Sequence, residues 1–277
     1  MGKRQEDSSV TNAITGIDHI LIGVADLEGA RRTWEGLGFT LTPCGRHKGW
    51  GTANYCVMFD VGYIELLGIV DAGLFTNNLD RFLDENGEGL LGLALATADA
   101  ETAYRGLCRA GIGAEAPKTL GRLLELPEGT VEPSFSLVHL PPAATPGLRA
   151  FVCQHLTPVL VRRPSWLVHA NGAQDIAGAS VVTEDPSSAA PAYEKLLGAD
   201  RIARHKAGFS VCLGGAVIHF GAPGTGKVSL SVRVADAETT ARCLNARGIP
   251  FARPDDGSLR VSPEAATGVA LTFVPSS

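Results

Sequence analysis

The sequence predicts an α+β chain of four βαβββ units, paired into two cupped, mixed-sheet domains. Two observations carry this. The chain repeats itself: ADAETAYRGLCRAGI at 98–112 and ADAETTARCLNARGI at 235–249 share nine of fifteen residues, and ADLEGARRTWEGLGF at 25–39 and EDPSSAAPAYEKLLGA at 184–199 follow the same plan. Each segment opens on an acidic N-cap signal, runs about three helical turns and ends at or beside a glycine. The second observation is what flanks them. An apolar, β-rich run precedes each helix, at 16–24, 90–97, 176–183 and 228–234, and strand-like segments follow it.

The elements follow in order. Residues 1–13 are polar and of mixed charge, and read as a disordered arm with no apolar signal-peptide core. In the first unit, strands are expected at 40–43, 53–60 and 63–69; in the third, at 209–213 and 216–220. One unit alone cannot bury both its helix and its sheet face, so units pair: one with two over residues 14–157, three with four over 175–277. The linker at 158–174 carries Pro158, Pro164, Asn171 and Gly172.

Composition narrows the function classes. With 45% hydrophobic residues the chain has material for true cores, and a net charge of −5 without a basic run argues against nucleic acid. No apolar stretch reaches the roughly 18 residues of a membrane helix. The six cysteines form no C-x-x-C pair, which suits reduced thiols in a cytoplasmic protein. The segment GAPGTGK at 221–227 lacks the Ser or Thr that a phosphate loop needs after lysine, and it leads into a strand; it reads as a connector.

The motifs GIDHILIGVADLEGA at 16–30, GRHKGWGTANYCVMFDVGYIELLG at 45–68 and FVCQHLTP at 151–158 resemble the vicinal oxygen chelate superfamily, and the first two its glyoxalase-like branch. The resemblance covers the whole chain by fold and the first half by motif. It implies paired βαβββ units around a cup that holds one divalent metal (Fe, Mn, Ni or Zn) or a small-molecule ligand. Ligands in that superfamily sit on the first and last strands of a unit, which here gives His19 and Glu65. A carboxylate in the otherwise apolar YIELL strand is costly to bury unless paired or metal-bound.

The second unit departs from the symmetrical pattern, because Gly92 falls at its first-strand position. Its last strand offers Gln154 and His155; alternation turns only one of them inward, and imidazole is the stronger ligand, so His155 is preferred. Glu65 is a candidate catalytic base as well as a ligand, and His47, in a glycine-rich loop, is a candidate auxiliary acid or base beside it. Trp50, Asn54, His139 and Phe151 are candidate substrate contacts. The second half has no comparable set: Ala179–Ser180 and Ser229–Ser231 fall at first-strand positions, and His219 and Thr272 at last-strand ones, so it reads as a degenerate copy.

The expected function is a divalent-metal-dependent isomerase or lyase acting on a small oxygenated substrate through a metal-stabilised enolate. Two alternatives stand beside it: a non-haem Fe(II) ring-cleaving dioxygenase, and a metal-free binding or resistance protein. With two paired halves in one chain, a monomer or a homodimer is expected.

Overall fold

The structure, a computed structural model, describes residues 13–224 and 228–276. The arm expected at 1–13 falls almost wholly outside the described residues, as do Thr225–Lys227 of the connector. The first unit comprises β1 (Ile14–Val24), α1 (Leu27–Gly36), β2 (Gly45–His47), β3 (Thr52–Phe59) and β4 (Gly62–Ile69). A short helix, α2 (Leu79–Asn86), leads into the second: β5 (Gly89–Thr97), α3 (Ala100–Arg109), β6 (Lys118–Leu126), β7 (Gly129–Val131), β8 (Ser134–His139) and β9 (Ala150–His155). The third is β10 (Ala173–Val182), α4 (Pro186–Leu197), β11 (Ile202–His205), β12 (Gly208–Leu213) and β13 (Ala216–Gly221). The fourth is shorter: β14 (Ser229–Val234), α5 (Ala237–Ala246), β15 (Leu259–Val261) and β16 (Ala270–Pro275), plus an isolated Ala252–Arg260 bridge.

Local chemistry explains the repeat. Asp26, Asp99, Asp185 and Asp236 each accept a hydrogen bond from a backbone N–H of the first turn of the helix that follows. This satisfies donors that a helix start otherwise leaves bare. The strand expected at 40–43 does not form; Pro43 has no N–H to give to a ladder, and pairing begins at Gly45.

Two mixed sheets result. The first runs β2-β3-β4-β1-β5-β9-β8-β6-β7, and an extra β2–β6 pairing closes it into a cup. The second runs β11-β12-β13-β10-β14-β16-β15 and has no closing pair among the described residues. In each, two units meet along an antiparallel first-strand pair, β1–β5 and β10–β14.

Alternation separates the two faces of the first sheet. Ile20 and Ile22, Ile64 and Leu66, and Ala150 and Val152 face outward into one hydrophobic cluster that also takes in Leu230, Val232 and Phe273 of the second half. Residues between them, His19 and Leu21, Glu65 and Leu67, Phe151 and Cys153, line the interior of the cup. The largest core therefore lies outside the cup and is shared by both halves, while the inside combines smaller apolar clusters, around Phe135 and Leu137 and around Leu21 and Leu67, with a few buried polar side chains.

Candidate metal centre

His19 sits on β1 behind a bulge. Ile17 pairs with Leu95 and His19 with Ala94, leaving Asp18 as the extra residue. Ile17 and Ile20 both enter the outer core, so Asp18 and His19 share the inner side. The side chains touch: His19 Nδ1 is 2.6 Å from Asp18 Oδ1. The other ring nitrogen, Nε2, lies 3.2 Å from Glu65 Oε2 on neighbouring β4. Both residues are almost fully buried, at 4% and 5% exposure. Tyr63 stacks on the His19 ring with centroids 4.4 Å apart.

This arrangement sets the charges. Burial works against the His19 imidazolium, but hydrogen bonds to Asp18 and Glu65 outweigh it and raise the pKa to about 9. Burial likewise opposes the Glu65 carboxylate, and His19 overcomes this, bringing Glu65 to about 2. Asp18 is held below the usual carboxylate range, burial being overcome by hydrogen bonds from His155 and His19.

Glu65 is held from its other side. The Asn54 amide donates to Glu65 Oε1 at 2.5 Å, and Asn54 Oδ1 accepts from Arg122 Nη1 at 3.1 Å. Arg122, on β6, is only 2% exposed and also reaches Cys56 Sγ at 3.2 Å; its Nε has no partner. His47 Nε2 faces the same carboxylate at 3.9 Å from Oε1, while its Nδ1 lies 2.9 Å from Thr52 Oγ1. Burial pushes the His47 pKa down to about 4, so the ring is neutral at neutral pH. The residue expected in a loop is the last of β2, and its pairing with Arg122 is part of the seam that closes the cup.

Of the last-strand pair, Gln154 turns outward and accepts from Ala100 N at the start of α3, at 2.9 Å. His155 turns inward but presents Nε2 to Asp18, 3.1 Å from Oδ2, and is not among the residues lining the cavity. Its Nδ1 is buried without a partner. Asp18, Cys153 and His155 form a second group whose possible ligand atoms lie within 4.8 Å of one another. Burial pushes the Cys153 thiol well above its ordinary pKa, and Asp18 already serves two histidines.

Strand register explains why the first unit alone carries the pair. Residues in the place of His19 in the other units are Gly92, Gly178 and Ser229; those in the place of Glu65 are Phe151, His219 and Thr272. His155 lies four residues beyond Phe151. His219 instead bonds Ser210 Oγ at 2.8 Å on the open second sheet. At the rim of the first cup, Trp50 packs edge-on against Phe75 at 5.1 Å, and Arg149 ties down Asn77 through Nη1 and Nη2. Trp50, Asn54, His139 and Phe151 all line the cavity. Asp18 and Arg122 were not anticipated. Strand alternation places Asp18 opposite His19 until the bulge is known, whereas Arg122 did leave a signal, sharing the face of Leu124 and Leu126 along β6.

No helix among the described residues is long and apolar enough to cross a membrane. None of the curated proteins matches the chain in sequence. By structure it is similar to a hypothetical protein from Staphylococcus aureus, at TM-score 0.69 and 16% identity over 94% of this chain and 99% of that one. A mutant 4-hydroxymandelate synthase from Streptomyces coelicolor follows at TM-score 0.62 and 13% identity, covering 95% and 93%. A xylose isomerase-like TIM barrel/4-hydroxyphenylpyruvate dioxygenase fusion protein gives 0.56 and 12%, covering 95% of this chain and 49% of that one. These likenesses carry the fold. The family model described as "Glyoxalase-like domain" matches residues 17–197, and the chain belongs to that family, within the vicinal oxygen chelate superfamily.

Proposed function

We propose that the protein is a divalent-metal-dependent enzyme of the lyase or isomerase type, acting on a small oxygenated substrate held in the first cup. The observation that carries this reading is the 3.2 Å separation of His19 Nε2 and Glu65 Oε2 on the cavity wall. Two ligands of one ion, each about 2.1 Å from it, lie at most about 4.2 Å apart. His47 Nε2 faces the other carboxylate oxygen, Oε1, at 3.9 Å, but His19, His47 and Glu65 do not bring one ligand atom each within 4.8 Å of one another. The residues that would hold the ion are then His19 and Glu65, and His47, rather than the His155 expected from sequence, is the third ligand if its ring moves inward on binding. Each has its remaining polar atom fixed by a neighbour: Asp18, Asn54 and Thr52 respectively. Such outer contacts orient metal ligands and set the histidine tautomer. The Asp18, Cys153 and His155 group suits this role less well, because Asp18 and His155 do not reach the cavity where a substrate would sit.

A bound divalent ion would polarise a substrate carbonyl and stabilise negative charge developing on its oxygen. The chain itself supplies proton transfer and shape. His139 lines the cavity, and burial lowers its pKa, leaving a neutral imidazole able to take a proton. Leu67, Leu91, Leu137 and Phe151 keep water from the reacting atoms.

A second reading, a non-haem Fe(II) dioxygenase, is favoured by one feature: two histidines and one carboxylate with open positions suit oxygen activation. Elemental analysis of tag-free protein tests the common part. About one Fe, Mn, Ni or Zn per chain is expected, lost in the His19→Ala, Glu65→Ala double variant, reduced in His47→Ala and kept in His155→Ala. No metal in the wild type after reconstitution with each ion refutes the reading. Oxygen uptake with a catechol would select the dioxygenase.

A further inference from the structure

Arg122 is the least explained group in the cup. Its guanidinium is buried and lines the cavity, yet no carboxylate lies within 4.0 Å of it among the described residues. Its recorded partners are uncharged: the Asn54 amide and the Cys56 thiol, whose pKa burial raises to about 11. The Phe135 ring lies 5.6 Å from the guanidinium carbon, and Nε is orphaned. A buried cation left without an anion is costly, and a guanidinium fork fits a carboxylate with two parallel hydrogen bonds. Arg122 also stands next to the proposed metal centre, since a single Asn54 amide separates its Nη1 from Glu65 Oε1.

We infer that Arg122 anchors the substrate, and that the substrate is a small monocarboxylic acid whose carboxylate sits on Arg122 beside the oxygen offered to the metal. The rest of the molecule meets Leu67, Leu91, Leu137 and Phe151, so it is apolar. The position of the metal-binding oxygen rests on the function proposed above; the carboxylate preference rests on Arg122 alone.

Isothermal titration calorimetry separates the two. Isovalerate and benzoate are each compared with their neutral amides, isovaleramide and benzamide, on metal-loaded and on chelator-treated protein. The acids should bind roughly 10- to 100-fold more tightly than the amides in both forms, as a charge-assisted hydrogen-bonded contact predicts. Arg122→Gln should erase the difference with metal content unchanged, and Arg122→Lys should keep part of it. Should Arg122→Gln fail to fold by circular dichroism, the wild-type acid–amide comparison and the lysine variant still decide. Equal binding of acid and amide, no saturable binding of either acid, or a preference that survives in Arg122→Gln overturns the inference. Failure of the metal reading shows differently: no ion is taken up, while the acid preference of chelated protein persists.

Discussion

Without a bound metal, raising the pH should destabilise the protein, because the proposed centre then depends on a proton. In chelated protein His19 lies between Asp18 and Glu65 with its pKa raised from 6.5 to about 9. A group whose folded pKa exceeds its unfolded value stabilises the fold fully below the unfolded value, and that contribution is lost as pH rises through the folded one. The window is therefore pH 6.5 to 9. At about 1.4 kcal/mol per pKa unit the contribution is about 3 kcal/mol, a large part of the roughly 5–15 kcal/mol that stabilises a domain. Asp18 and Glu65 act with the opposite sign: their folded pKa values are depressed, so their contribution is present above about pH 4 and is lost on acidification. Urea unfolding of chelated protein at several values between pH 5 and 9.5 measures this. Greatest stability is expected near pH 6.5, because below it the unfolded chain protonates His47, whose folded pKa is held near 4; above it a decline of about 3 kcal/mol by pH 9 is expected, with a flat profile over that window in His19→Gln. Metal binding must displace the same proton, so its apparent affinity should rise about tenfold per pH unit up to pH 9. A chelated wild type whose stability is flat or rising from pH 6.5 to 9 refutes the charge assignment.

Other perturbations follow from single contacts. Asp18→Asn should lower metal affinity roughly 10- to 100-fold with the ligands intact, read by competition with a chromophoric chelator. Gly268 has φ +79, and a Cβ there would lie 2.0 Å from Glu88 O, so Gly268→Ala should cost more than about 1 kcal/mol in denaturant unfolding. Trp34→Phe removes the 3.0 Å bond from Nε1 to Thr267 Oγ1 inside the core and should cost about 1–3 kcal/mol by the same assay.

Periodic and repeated features were the legible ones. Helix caps and hydrophobic alternation identify the units, their order and the mixed sheets, and a histidine and a glutamate on apolar strands stand out because each is expensive there. What escaped depends on register. Gln154 and His155 are neighbours that alternation must separate, but only strand pairing reveals that the residue level with Glu65 is Phe151. Asp18 escaped because one extra residue in β1 reverses the alternation on which its orientation was judged. Helix α2 escaped for its brevity; it has 8 residues, about two turns, and its apolar pattern is confined to Leu79, Phe82 and Leu83. Nothing local in β6 reports that it closes onto β2, and this closure is what sets Arg122 beside His47.

Among the described residues the second half carries no counterpart of the His19–Glu65 pair, and its place in the fold indicates what it does instead. The outer face of the first sheet and α1 depend on it for cover: Trp34 bonds Thr267, and Phe39 stacks on Phe273 at 5.9 Å. Trp34, Leu37 and Phe39 are each at most 4% exposed and belong to the cluster that includes Val232, Leu271 and Phe273. Exposing each such side chain costs about 1.5–3 kcal/mol, so uncovering a handful exceeds the net stability of a domain. A chain ending at residue 174 should therefore lack cooperative unfolding, bind a hydrophobic dye and hold no metal, even though every proposed ligand is present. A soluble truncated protein with a sharp thermal transition and one bound ion would show that the first cup stands alone and that the shared core is dispensable to it.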